Sequence, residues 1–410
     1  MTALKALALV VAVGWIASKK RAGGLSMVKL PRSLRLALLL TCFWSLASAL
    51  WATDRADALA TGTTLASLAG LAFLTVQLAV TPARIRTLLR WSLAGALIAA
   101  GLALGHLSSG AAARASAFSA PNGLAENLGE FPVYLGLGAS YCLAEAAAAR
   151  GIRRLPWAAC MLFVAIGALS SGTRGFLVGA AAGVLALLLM CAGRRRLREV
   201  LAICTAMAII VAGASSVLPS TTQDRYANAS PMVLFQGGGA GRSDIWKVYL
   251  VMVSLHPLLG VGSGNGPVAY PEALQDAQRS GEFITARAAT TWVGAAGRDA
   301  HNLYLGVAAE LGIIGLLLLL ATLVMTVHEF RKRLHVVTLQ RAEWVAGLAI
   351  GTNLTMVLID ALAIDSFRKK VVWIALALAM AYGALPQRSQ SPSSGDKDTL
   401  LLRGDMDPRT

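Results

Sequence analysis

Charge is scarce in this chain. Of its 410 residues only 14% are Asp, Glu, Lys or Arg, 56% are hydrophobic and mean hydropathy is +0.63. A soluble globular protein carries about 25% charged residues. Cysteine is scarce too. The five, Cys42, Cys142, Cys160, Cys191 and Cys204, all lie in apolar runs. No CxxC pair and no disulfide framework can be drawn from them. No stretch alternates apolar and polar residues over about 10 positions, which excludes a transmembrane β-barrel. No internal repeat is visible, which argues against transporter folds built from inverted repeats.

What the chain has instead is a series of apolar runs of roughly 17–25 residues, the length that crosses a hydrocarbon core. Spans are predicted at 2–18, 34–52, 58–80, 91–107, 131–149, 155–171, 175–192, 199–217, 303–327, 342–363 and 371–385. Residues 2–18 could also be the apolar core of a signal peptide. The basic run Lys19-Lys20-Arg21 that follows, without a clear small-residue cleavage site, favours a retained helix. The fold class is therefore all-α, a polytopic integral membrane protein of about eleven or twelve helices.

The formal charge of +16 is placed in a way that excludes nucleic acid as a partner. Twenty of the 37 Lys and Arg fall in five short loops, 19–35, 81–90, 150–154, 193–199 and 328–341, with only Glu199 and Glu329 to oppose them. That is the positive-inside signature, and it makes those loops cytoplasmic. Alternation then puts 53–57, 108–130, 170–174, 218–302 and 364–370 outside. The expected division is an N-terminal bundle over 1–217, a polar, Gly-rich, mostly helical external insert over 218–302, C-terminal membrane helices over 303–385, and a disordered cytoplasmic tail over 386–410.

Several residues on the outer side invite a functional reading. Arg174 sits in the tight turn Ser170-Ser-Gly-Thr-Arg174-Gly. It is either a cation snorkelling to headgroups or a fixed ligand for a lipid-linked phosphate, since a guanidinium fork binds phosphate oxygens in pairs. Within the insert, Gly237-Gly-Gly-Ala-Gly241-Arg242-Ser243-Asp244 leads into a helix that Ser243 or Asp244 can cap. A glycine-rich approach to a helix N-terminus favours an anion, and it equally suits a flexible linker. In His256-Pro257-Leu-Leu-Gly260-Val-Gly262-Ser-Gly264-Asn-Gly266 the helix should stop and the glycines should turn the chain tightly. No strand precedes these glycines, so they are not a dinucleotide loop.

His301 stands at the start of a membrane helix, beside Asn302 and near Arg298. A neutral imidazole there can take a proton from a hydroxyl, while Asn302 can instead cap the helix. Glu310, about 12 Å deeper by helix rise, reads as a structural partner to another helix. The run Arg368-Lys369-Lys370 places three cations on the outer side, against the orientation rule, so either the topology fails there or they meet phosphate; Asp365 can offset one of them.

These segments together resemble the O-antigen ligase and polymerase superfamily of bacterial envelope glycosyltransferases. The resemblance rests on Ser171-Gly-Thr-Arg174-Gly, Gly241-Arg242-Ser-Asp-Ile-Trp246, His256-Pro257-Leu-Leu-Gly260-Val-Gly262, and His301-Asn302-Leu-Tyr304-Leu followed by Glu310-Leu-Gly312-Ile-Ile-Gly315. It implies a glycan donor on undecaprenyl diphosphate and, in the ligases, a sugar hydroxyl of lipid A–core as acceptor. The setting it implies is the periplasmic face of the bacterial inner membrane. It also implies catalytic roles for Arg174 and Arg242 on the diphosphate and for His301 on the acceptor. Arg298, Asn302, Arg368 and Lys369 are added as substrate-binding residues by position. No cofactor or metal is expected. The only Asp-x-Asp patterns, Asp396-Lys-Asp398 and Asp405-Met-Asp407, lie in the tail, so arginines would take a metal's electrostatic role. A polymerase of the same superfamily, a protein O-oligosaccharyltransferase, a lipid-linked glycan transporter and a scaffold for envelope enzymes are the competing readings.

Overall fold

The computed structural model describes residues 28–107, 130–171, 173, 175–191, 198, 201–202, 204–205, 213, 242–281, 299–335, 340–364 and 367–386. The expected spans at 2–18 and 199–217 lie largely or wholly outside these residues, as do Arg174, Arg298, Asp365 and the tail from 387.

The described chain is helical. α1 is Arg32–Ala47, prolonged by a 3-10 turn at Ser48–Leu50, α2 is Arg55–Leu78 and α3 is Pro82–Leu107. α4 is Phe131–Ala148, α5 is Leu155–Leu169 and α6 is Gly175–Cys191. From the insert come α7, Arg242–Leu255, and α8, Gly266–Arg279. α9 is Leu303–Leu334, α10 is Arg341–Asp360 and α11 is Lys370–Gly383. Six segments, α1 with its 3-10 turn, α2, α3, α5 with the turn before it, α9 and α10, are long and apolar enough to cross a membrane, and α6 and α11 are shorter apolar helices. The protein is thus a polytopic all-α membrane protein.

Two boundaries differ from expectation, both at basic ends. α3 starts at Pro82 rather than near 91, because proline suits the first helical turn and Arg84, Arg86 and Arg90 continue the helix into the basic loop. α9 runs to Leu334 rather than 327, with Arg331, Lys332 and Arg333 in its last turn. Cations there oppose the negative end of the helix dipole.

α10 is the central post of the bundle. It packs against α4, α6 and α11, and 78% of its apolar window is buried. Two glycines of α6 make that approach possible. A Cβ on Gly179 would lie 2.9 Å from the Met356 carbonyl oxygen, and one on Gly183 would lie 3.0 Å from that of Thr352. Helices in lipid associate through such close backbone contact. Gly179→Val should therefore push α6 off α10 and cost about 1–3 kcal/mol, read as a lower thermal midpoint in detergent.

The described part of the insert is fastened to the end of the bundle away from the basic loops. Ser263 N–H donates to Ser48 Oγ at 2.9 Å, and the Asn265 carboxamide exchanges hydrogen bonds with the Asp54 backbone at 2.7 and 3.0 Å. The Trp51 indole donates to the Leu259 carbonyl, and that of Trp44 to the Leu311 carbonyl of α9 beside it. Gly260, Gly262 and Gly264 all have positive φ, at 70°, 105° and 77°. The tight turning expected of this loop is thus carried by residues without a Cβ penalty.

Candidate functional site

The site is built where α7 and α9 begin and α10 ends. Ala300 immediately precedes His301, and its carbonyl accepts the Trp246 indole N–H of α7 at 3.0 Å. Two residues after His301, Leu303 N–H donates to the Ala361 carbonyl at the end of α10 at 2.8 Å. One residue further, the Tyr304 hydroxyl donates to the Leu358 carbonyl, also on α10, at 3.1 Å. His301 is thereby pinned between α7 and the outer end of α10. Its φ is 49°, the one positive value at a non-glycine residue among the described residues. Left-handed backbone at a non-glycine position is uncommon and gathers at functional sites.

Asn302 is the cap of α9. Its side-chain oxygen accepts from the N–H groups of Tyr304 and Leu305, both at 3.0 Å. The capping alternative raised from sequence is therefore realised, and it fixes where the helix begins and where His301 stands.

Arg242 opens α7, half-buried, with Asp360 near enough for a favourable charge interaction. Burial pulls its pKa below the ordinary value and Asp360 pushes the other way. Arginine nevertheless stays charged, so a cation is held in a partly dry place. Ser243 and Asp244 both lie within the helix. Asp244, offered as a cap, lies buried in the first turn with Lys247 3.8 Å away.

Two cations of the last outer loop have carboxylate partners. Arg368 pairs with Asp299 at 3.2 Å, and Lys369 pairs with Glu130 at 3.1 Å. Both pairs bridge segments remote in sequence. They bring Arg368 to the residue two before His301 and tie Lys369 to the head of α4.

Three carboxylates thus belong to the same region and escaped sequence reasoning as site residues: Glu130, Asp299 and Asp360. Glu130 and Asp360 are buried. Asp360 carries a signal that could have found it, since a carboxylate at the end of a membrane helix is costly and asks for a partner. A Cβ on Gly175, the residue after Arg174, would come within 3.5 Å of Asp360 Oδ1. The start of α6 therefore reaches this region as well. Arg174 and Arg298 themselves lie outside the described residues.

Glu310 is buried, as a structural partner should be, and the 262–264 loop supplies two of its contacts. Its carboxylate accepts from Gly264 N–H at 2.7 Å, and its carbonyl accepts from Gly262 N–H at 2.8 Å.

Between α4, α5, α6 and α10 runs an apolar cavity of about 450 Å³. It extends from Leu143 to Leu169 and Phe176, which flank the turn that contains Arg174.

No curated protein matches the chain. Residues 159–320, from within α5 through the insert and into α9, match the family model Wzy_C, described as O-antigen ligase.

Proposed function

We propose that this membrane protein of the O-antigen ligase superfamily transfers a glycan from undecaprenyl diphosphate to a sugar hydroxyl of lipid A–core, on the periplasmic face of the inner membrane. The observation that carries the reading is the pinning of His301 between α7, which bears Arg242, and the end of α10, inside a region that also receives Arg368 and Lys369.

His301 is the base. It takes the proton of the acceptor hydroxyl as that oxygen attacks the anomeric carbon. The bond from that carbon to the diphosphate oxygen breaks, and the diphosphate leaves with the electron pair. Arg174 and Arg242 hold its charge, with Arg298, Arg368 and Lys369 around the donor and acceptor. Fixed guanidinium groups stabilise a leaving diphosphate without reorganisation, so the transfer proceeds without a metal. Attack from the face opposite the diphosphate inverts the anomeric centre. The apolar cavity ending at Phe176 suits the isoprenoid tail, with its headgroup at the Arg174 turn.

Arg242 gives a graded test. Arg242→Lys keeps a charge and loses the planar fork, so transfer should fall about tenfold or more. Arg242→Ala should cost about 10²–10³-fold, as loss of an oxyanion-stabilising donor does. Initial rates on a defined donor check both.

The reading itself is tested by mixing purified protein with glycan-loaded undecaprenyl diphosphate and lipid A–core, without nucleotide or added metal, and resolving products by size. Glycan on lipid A–core is the expected result. Longer glycan still on the carrier would make the protein a polymerase, and no covalent product from folded protein would overturn the transferase reading. Transfer lost on chelating divalent ions would overturn its metal-free part.

A further inference from the structure

The opposite end of the bundle holds a basic cavity that the transfer chemistry does not use. It measures about 500 Å³ and is lined by Arg86 of α3, Arg150 and Arg153 from the α4–α5 connection, and Arg341 at the start of α10. These four arginines surround one carboxylate, Glu145, which is 2% exposed. Glu145 accepts from Arg86 at 3.0 Å, from Arg341 at 3.4 Å and from the Tyr141 hydroxyl at 2.9 Å. A single buried anion thus fixes two guanidinium groups on the cavity wall, and the wall retains a surplus of positive charge. Arg150 and Arg153 are exposed, and their side chains have no hydrogen bond or ion pair among the described residues. A second cavity of about 250 Å³ shares Arg86, Glu145 and Arg341.

Two features identify the chemistry of the occupant. Clustered, pre-oriented guanidinium groups suit phosphate oxygens. Apolar surface stands beside them: Trp157 lines the cavity, and Ile152 and Leu155 nearby are 79% and 62% exposed. A soluble phosphate has no use for that apolar rim, whereas acyl chains would cover it. This is also the end that the positive-inside rule assigns to the cytoplasmic leaflet, where basic pockets between membrane helices bind anionic headgroups. We propose that the cavity formed by Arg86, Arg150, Arg153 and Arg341 around Glu145 binds the phosphate headgroup of an anionic glycerophospholipid, with its acyl chains against Ile152 and Leu155.

The test uses delipidated full-length protein in an uncharged detergent, titrated separately with phosphatidylglycerol, cardiolipin, phosphatidylcholine and inorganic pyrophosphate. Native mass spectrometry reads bound lipid, and the thermal midpoint reads stabilisation. Phosphatidylglycerol and cardiolipin should bind and raise the midpoint, phosphatidylcholine should not, and pyrophosphate should not displace the bound lipid. The double variant Arg150→Ala/Arg153→Ala should keep the lipid-free midpoint and lose about tenfold or more in affinity for cardiolipin. Unchanged affinity in that variant, or equal binding of phosphatidylcholine, would overturn the site. Pyrophosphate that saturates the protein and displaces lipid would overturn the lipid assignment and make it a site for free phosphate.

Discussion

His301→Asn should leave a folded protein that no longer transfers glycan. A positioned general base contributes about 10²–10⁴-fold, and losses of that size are expected in single-turnover rates. The choice of asparagine matters. At a φ of 49° alanine would mix a backbone effect with the loss of the imidazole, because histidine populates left-handed backbone more readily than alanine does. Asparagine tolerates left-handed backbone far better. It therefore keeps the hydrogen bonds on either side, Trp246 to Ala300 and Leu303 to Ala361, and removes only the basic nitrogen. Donor binding should persist in the variant, measured as retention of labelled undecaprenyl diphosphate. A His301→Asn protein that transfers at the wild-type rate would remove His301 from the chemistry.

The largest effect on stability is expected at Gly312. Its φ of 68° and ψ of −174° belong to a region essentially reserved for glycine. The break leaves polar groups that α9 cannot satisfy internally, and the 257–262 loop takes them up. Ile313 N–H donates to the Pro257 carbonyl at 2.9 Å, and the carbonyls of Ala309 and Glu310 accept from Val261 and Gly262 at 3.0 and 2.8 Å. A Cβ on Gly312 would run into the Leu258 carbonyl. Gly312→Ala should cost about 3 kcal/mol or more, from strain and overpacking together. It should displace the loop that Glu310 holds. Gly70→Ala in α2, where a Cβ meets nothing within 4 Å, should be neutral or slightly stabilising. Thermal midpoints of the two variants in one detergent make the comparison.

The contrast between Gly312 and the spans shows what was legible in the sequence. Spans are read from length and hydropathy, which are local, so α1, α2, α4, α5, α6, α10 and α11 begin and end within a few residues of expectation. The role of Asn302 was legible for the same reason, since a cap serves the next two or three residues. Gly312 was not, because its backbone is dictated by a loop some fifty positions earlier. The same holds for Lys369 with Glu130 and Arg368 with Asp299, whose partners are 239 and 69 positions away. Charge balance across such separations is a property of the assembled bundle and leaves no periodic trace. Asp360 lay between these cases: its cost in a membrane helix was visible, and its partner Arg242 was not.

The central position of α10 has a consequence for how this protein can be cut. The stretch that matches the O-antigen ligase family model, residues 159–320, is not a unit of folding. It contains α6, whose glycines are shaped to α10, and His301, whose neighbour Leu303 is bonded to Ala361, yet α10 lies beyond its end. Excised, that stretch would lose the surface on which its small residues and its histidine are registered. A fragment or chimera built around that stretch should therefore carry α10 and α11 along with the insert.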